Sequence, residues 1–234
     1  MKNIISLLVL ICSVAVIIVS CAKKDDSTTA TAAAGNTAGT GTTASGTITG
    51  NDNLTGVFHS SWYGQEPSGG CIDNSSAITA HSYNPSDTLG FKRMWIITGA
   101  STYTDSIATY SDATCSTITS YFNKLYDNVT IGSGLTGLTA GSSPAKPTTA
   151  NKISYIDEKY SLMANTTASI AKHHSAYSAT VTSGTEMNVD ESSPSTEYNL
   201  IATGTVSGST YLFLGSGSSS DNKTDWGSSN TYWK

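Results

Sequence analysis

The chain has 234 residues, of which only 12% are charged, with a net charge of −5. Arg93 is the single arginine; such a surface excludes the basic footprint of a nucleic-acid or anionic-lipid binder and leaves no guanidinium cluster for a phosphate or carboxylate clamp. Polarity comes instead from Ser, Thr, Gly, Asn and Tyr, a composition typical of exported all-β proteins.

The N-terminus reads Met1-Lys2-Asn3 followed by an apolar run from Ile4 to Val19, broken only by Ser6 and Ser13. A positive start and an apolar stretch slightly short of the ~20 residues of a membrane span read as an export signal. The run ends Ile18-Val19-Ser20-Cys21, which resembles the lipobox of bacterial lipoproteins, in the looser form met in spirochaetes. That resemblance implies cleavage before Cys21, a diacylglycerol on its sulfur and an acylated new N-terminus. An uncleaved N-terminal helix and simple secretion are the other readings. More than one acyl chain suffices for stable membrane attachment, so the expected partner is the membrane, and the expected place the cell envelope, at the outer membrane.

Residues 21–52 are mostly Thr, Ala, Gly and Ser and read as a flexible tether. Residues 53–234 have the size of one domain. Short β-branched and aromatic runs between turn-forming clusters place strands at 54–61, 78–83, 91–98, 102–110, 128–131, 153–156, 160–165, 177–182, 186–189, 198–206, 210–215 and 231–233. Gly99-Ala100-Ser101 and Ser207-Gly208-Ser209 separate apolar runs as hairpin turns do. Thr117–Tyr126 spaces Ile118, Tyr121, Phe122 and Leu125 as an amphipathic helix would, but its Thr and Tyr equally suit a bent strand. Residues 132–151 read as a long loop. The fold class expected is all-β, a single antiparallel barrel or half-barrel behind a tether.

Of the four cysteines, Cys12 lies in the signal and Cys21 is the lipid site, so Cys71 and Cys115 remain. In an oxidising compartment they read as one disulfide, the other reading being two buried thiols. The order of landmarks then resembles a loose group of bacterial lipocalin-like lipoproteins. Gly56-Val57-Phe58 stands where that group has Gly-x-Trp, Tyr110-Ser111-Asp112-Ala113-Thr114-Cys115 matches its Tyr-x-Asp-x-x-Cys strand, and Tyr211-Leu212-Phe213-Leu214-Gly215 matches its closing hairpin. The group's tryptophan and the arginine after the closing hairpin are missing here. The resemblance implies an antiparallel barrel or half-barrel with a cysteine pair linking an early segment to the Tyr-x-Asp-x-x-Cys strand.

Signatures of catalysis are missing: the sequence has no GxSxG elbow, HExxH, P-loop or GxGxxG after a strand. His59, His81, His173 and His174 show no metal-ligand spacing, and the adjacent pair reads as solvent-facing. Asp157-Glu158 and Asp190-Glu191 read as charged turns, with Ca²⁺ binding the lesser alternative. No catalytic residue, metal or cofactor is expected. The candidate binding residues are Trp62, Tyr63, Trp226, Tyr232 and Trp233, near expected strand ends and loops; they either contact a partner or fill a barrel core. The function expected is a lipid-anchored, non-enzymatic envelope binding module or adhesin contacting a host or envelope macromolecule. A lipocalin-like carrier of a small apolar ligand is the alternative.

Overall fold

Alternating runs that end at Gly, Asn and Ser clusters become strands in the computed structural model, which describes residues 44–60, 70–139, 146–178, 180–191, 193–206, 208–222, 224–226 and 230–234. They are β1 (Val57–Ser60), β2 (Gly90–Ile97), β3 (Tyr103–Tyr110), β4 (Ile118–Thr136), β5 (Thr149–Ala164), β6 (Met187–Asp190), β7 (Thr196–Val206), β8 (Ser209–Leu214) and β9 (Asn230–Trp233). Among the described residues these nine form one antiparallel sheet in the order β4-β3-β2-β1-β9-β8-β7-β5-β6, and β4 also pairs with β5. The sheet thus closes in a ring, which fits the all-β expectation of a barrel or half-barrel. Strand β6 stands outside the ring, against Lys159–Leu162 of β5.

Both expected hairpins form. Ile97 faces Tyr103 across the first turn, and Val206 faces Ser209 across the second, where Gly208 takes φ +88°, a region that favours glycine. Gly204 is needed for another reason. The ring of its cross-strand partner Tyr211 lies over it, and a Cβ there would come within 2.4 Å of that ring.

One segment expected as a strand is partly helical, and a second helix takes a stretch to which the sequence assigns no element. Helix α1 (Ser75–Ala80) replaces the strand expected at 78–83 because Asn74 caps it, accepting from the Ser76 and Ala77 amides at 2.9 and 3.1 Å. Helix α2 (Thr167–Tyr177) ends where the strand at 177–182 is expected. It begins in a capping box between Thr166 and Ser169, and it stops at Ser178 in the left-handed region. Conversely, of the Thr117–Tyr126 segment, Ile118–Tyr126 belongs to the long strand β4. Its apolar residues fall on both faces of the sheet, and both faces are buried there, so period-2 packing mimics helical spacing.

The expected strands 153–156 and 160–165 are one strand, β5, in which Glu158 is the extra residue of a bulge between Leu125↔Lys159 and Tyr126↔Asp157. Residues 132–136 and 149–151 extend the β4–β5 pair rather than forming loop. The expected tether also ends sooner. Ile48 is only 1% exposed and pairs with Leu54, and Ser45 donates to the Ile97 carbonyl at 2.8 Å. A lone isoleucine among Thr and Gly is enough to seat this stretch, because its side chain joins the largest apolar cluster.

That cluster gathers side chains from all the ring strands, including Phe58, Trp95, Tyr103, Tyr126, Tyr155, Ile201, Leu212 and Tyr232, so this face is the inside of the ring. Within it Tyr103 stacks on Tyr126 at 4.4 Å and meets Tyr155 edge-on at 5.5 Å. A second cluster, with Leu200, Phe213, Trp226 and Trp233, packs elsewhere on β7, β8 and β9. Cys71 and Cys115 are joined in a disulfide, tying the stretch before α1 to the β3–β4 connection. Gly90 of β2 fits against it, since a Cβ there would meet the Asp112 carbonyl oxygen at 2.7 Å and Cys115 Sγ at 3.0 Å.

Candidate functional site

Inward positions of β2, β3, β4 and β5 are not uniformly apolar. The register brings Trp95 opposite Asp105, Asp105 opposite Lys124 and Lys124 opposite Tyr160, so charges lie on the same face as the buried Trp95. Arg93, one inward position away on β2, reaches Asp105 through Nε at 3.2 Å and a terminal nitrogen at 2.7 Å. This two-point contact overrides the effect of burial, which alone would lower the guanidinium pKa, and holds it well above its usual value. Lys124 pairs with Asp157 and lies over the Tyr126 and Tyr160 rings. Glu197 of β7 closes the belt; burial first, and then Asp157, raises its pKa.

The belt separates two kinds of surroundings. Toward Ile97 the interior is packed with aromatic rings, and burial lifts the Tyr103, Tyr126 and Tyr155 hydroxyls, Tyr155 to about 12. The belt itself is not sealed, since the Arg93 and Lys124 side chains keep 21% and 23% of their exposure. Phe91 and Phe122 face the other end. The chain leaving α1 brings the His81 ring to 5.1 Å from Phe91 and stacks Tyr83 on Phe122 at 5.3 Å. His81 is buried, and that burial, with the nearby Arg93 charge, pushes its pKa down to about 4, so it is neutral at physiological pH.

Beside His81 lies a cavity of about 480 Å³, walled by α1, by the 81–89 segment and by Lys172 of α2. This is a ligand-sized volume. Asn84 donates its amide to the Ile78 carbonyl oxygen at 3.0 Å, while its Oδ1 and the Thr88 hydroxyl find no partner among the described residues. The rest of the lining is mostly short and polar, with Ser75, Thr79, Ser82 and Ser86 beside Ile78 and Leu89.

Of the residues singled out in the sequence, the structure brings Cys71 and Cys115 together. Trp226, Tyr232 and Trp233 are core side chains with 1%, 0% and 8% exposure, Trp226 donating its indole N–H to the Pro147 carbonyl oxygen at 2.8 Å. Trp62, Tyr63 and Cys21 lie outside the described residues. His173, read as solvent-facing, is 3% exposed on α2 while its neighbour His174 is exposed. Asp157, read as a turn acid, is the ion-pair partner of Lys124, and Glu191 accepts from the Tyr160 hydroxyl at 2.7 Å. Among the described residues no three His, Cys, Asp or Glu side chains converge as metal ligands would, and no helix is long and apolar enough to cross a membrane.

The chain matches no protein-family model and no curated protein. Sequence patterning reveals neither the cavity nor the charge belt, although a signal for the belt exists. Arg93 and Asp105 sit at inward positions of strands otherwise rich in apolar and aromatic residues, "FKRMWII" and "YTDSIATY", where a charge demands a partner.

Proposed function

We propose that this protein is a lipid-anchored, non-enzymatic binding module of the bacterial cell envelope, tethered through Cys21 and taking its ligand at the end of the ring covered by α1. The observation that supports this most is the cavity of about 480 Å³ at that end, lined by short polar side chains of α1 and of the 81–89 segment. The reading does not use Trp226, Tyr232 and Trp233 as contacts, because they are core residues.

Carriage of a purely apolar molecule inside the ring, the lipocalin-like alternative, is less well served. Arg93, Asp105, Lys124 and Asp157 line that interior, and desolvating such charges under an apolar ligand is costly. Two measurements test the proposal. The intact protein should enter the detergent phase in a cloud-point partition and Cys21→Ala should not; unchanged partition of the variant overturns the lipid anchor. Native mass spectrometry of protein purified without denaturation should show no retained lipid or fatty acid; a stoichiometric apolar ligand would favour the carrier instead.

A further inference from the structure

The backbone pair Ile72↔Phe91 pins both ends of residues 73–88, the segment that carries α1. The Ile72 amide donates to the Phe91 carbonyl oxygen at 2.9 Å, and the Phe91 amide to that of Ile72 at 3.0 Å. Between these ends the segment bonds to itself. The His81 amide donates to the Ala77 carbonyl oxygen at 3.2 Å, that of Asn84 to His81 at 3.1 Å and that of Thr88 to Pro85 at 3.2 Å, while the Asn74 and Asn84 side chains add bonds inside it. Side-chain packing seats it on the ring: Ala77 and Ile78 against Ile72 and Phe91, the His81 ring 5.1 Å from Phe91, and Tyr83 stacked on Phe122. A compact loop with its ends held together can lift as one unit, because its own hydrogen bonds survive the movement.

Closure is costly for this segment. Asn84 Oδ1, Asp87 Oδ1 and the Thr88 hydroxyl are buried with no partner among the described residues, and opening would let water reach all three. Tyr83, one of its seating rings, keeps 42% of its surface in solvent, so its packing offsets only part of that cost. His81 is buried, with the Tyr83 ring at 5.8 Å. The charges facing it are Arg93 of β2 and Asp105 of β3, and Asp73 and Lys172 of α2 share its cavity wall. Arg93 already engages Asp105, so an imidazolium at this place is both desolvated and repelled. We propose that residues 73–88 are a hinged cap with His81 as its acid-sensitive latch: a proton on the imidazole lifts the segment about the Ile72–Phe91 pair, uncovering Phe91 and Phe122 and dismantling the cavity wall. That the cap governs ligand release rests on the domain being a binding module; the cap itself does not.

The test is amide exchange of the full-length protein in an amine-oxide detergent, expressed as protection factors from pH 7.5 to 5. His81 titrates at about 4 under the cap and near 6.5 in water, so the opening equilibrium should rise roughly 30-fold over that range. Protection at Ile78, His81, Asn84 and Thr88 should fall by that factor and stay well below that of the β2 amides at every pH. His81→Gln, which stays uncharged, should remove this slope whatever it does to the level, and His173→Gln should leave the slope in place. Cap and β2 amides with equal protection would mean that the segment opens only with the whole ring, which overturns the proposal. A slope that is flat in the unaltered protein, that survives His81→Gln or that vanishes in His173→Gln overturns it as well. No ligand enters the measurement, so the cap fails or holds apart from the binding-module reading.

Discussion

Arg93 is the residue whose environment departs furthest from a surface cation. Its two hydrogen bonds to Asp105 and its position over the Tyr232 ring at 5.9 Å fix it inside the sheet. Removing one partner of such a pair leaves the other charge desolvated and unpaired, which costs more than removing both. Asp105→Ala should therefore lower stability by about 3 kcal/mol, and Arg93→Leu combined with it by less, as read from urea midpoints. A double variant no more stable than Asp105→Ala would contradict the coupling. The buried histidines set a second residue-level expectation. His81 and His173 have pKa values pushed down from 6.5 to about 4 by burial, with Arg93 and Lys172 adding to it, so the unfolded chain binds more protons than the folded one between those values. Stability present above pH 6.5 should be lost progressively as pH falls toward 4. The exposed Asp112 works in the same sense at lower pH, because hydrogen bonds from Thr114, Ser116 and Thr117 depress its pKa. A urea midpoint that is flat from pH 6.5 to 4 would refute the histidine contribution.

At the scale of elements, the sequence is legible wherever one strand face meets the core and a glycine turn follows. The β2–β3 and β7–β8 hairpins form as expected for that reason. Legibility fails where local chemistry competes with β propensity. In α1, Asn74 captures two amides and the following Ser-Ser-Ala turns into a helix, although Ile78, Thr79 and Tyr83 suggest a strand. In α2 the signal is present in the sequence but masked by its β-branched neighbours: Thr166 with Ser169, then an alanine-containing stretch, is a capping box opening a helix. Thr166→Ala should cost about 1 kcal/mol in denaturant unfolding, with loss of α2 helicity detectable as faster amide exchange at 167–177. Faster exchange without loss of stability would mean that the helix adds little to the fold. The cavity is beyond sequence reading because its wall joins the 73–89 segment to Lys172, a contact made only once α1 and α2 are both placed as helices. The charge belt needs strand register, which alternation alone sets only to within a slip.

For the molecule as a whole, the Cys71–Cys115 disulfide spans 44 residues and joins the strand hairpins to the approach of α1. Closing a loop of that length contributes about 4 kcal/mol in the chain-entropy picture. Replacing both cysteines by alanine should shift the urea midpoint accordingly and loosen the cavity wall before the ring, seen as early protease cleavage between residues 72 and 89. Cleavage appearing first elsewhere would show that the disulfide guards another region. Among the described residues, the ring is closed by β1 against β9 through the pairs His59↔Trp233 and Ser60↔Tyr232, helped by the Lys234 ammonium on the Thr55 carbonyl oxygen at 2.7 Å, 179 residues away in sequence. That seam carries a kinetic consequence. Until β9 has been made and delivered, β1 and β8 each present an unpaired edge, the geometry most prone to pairing with another chain. Contacts so distant in sequence also form slowly, so the nascent domain is at its most aggregation-prone late in synthesis, when all of it but the seam can already be in place.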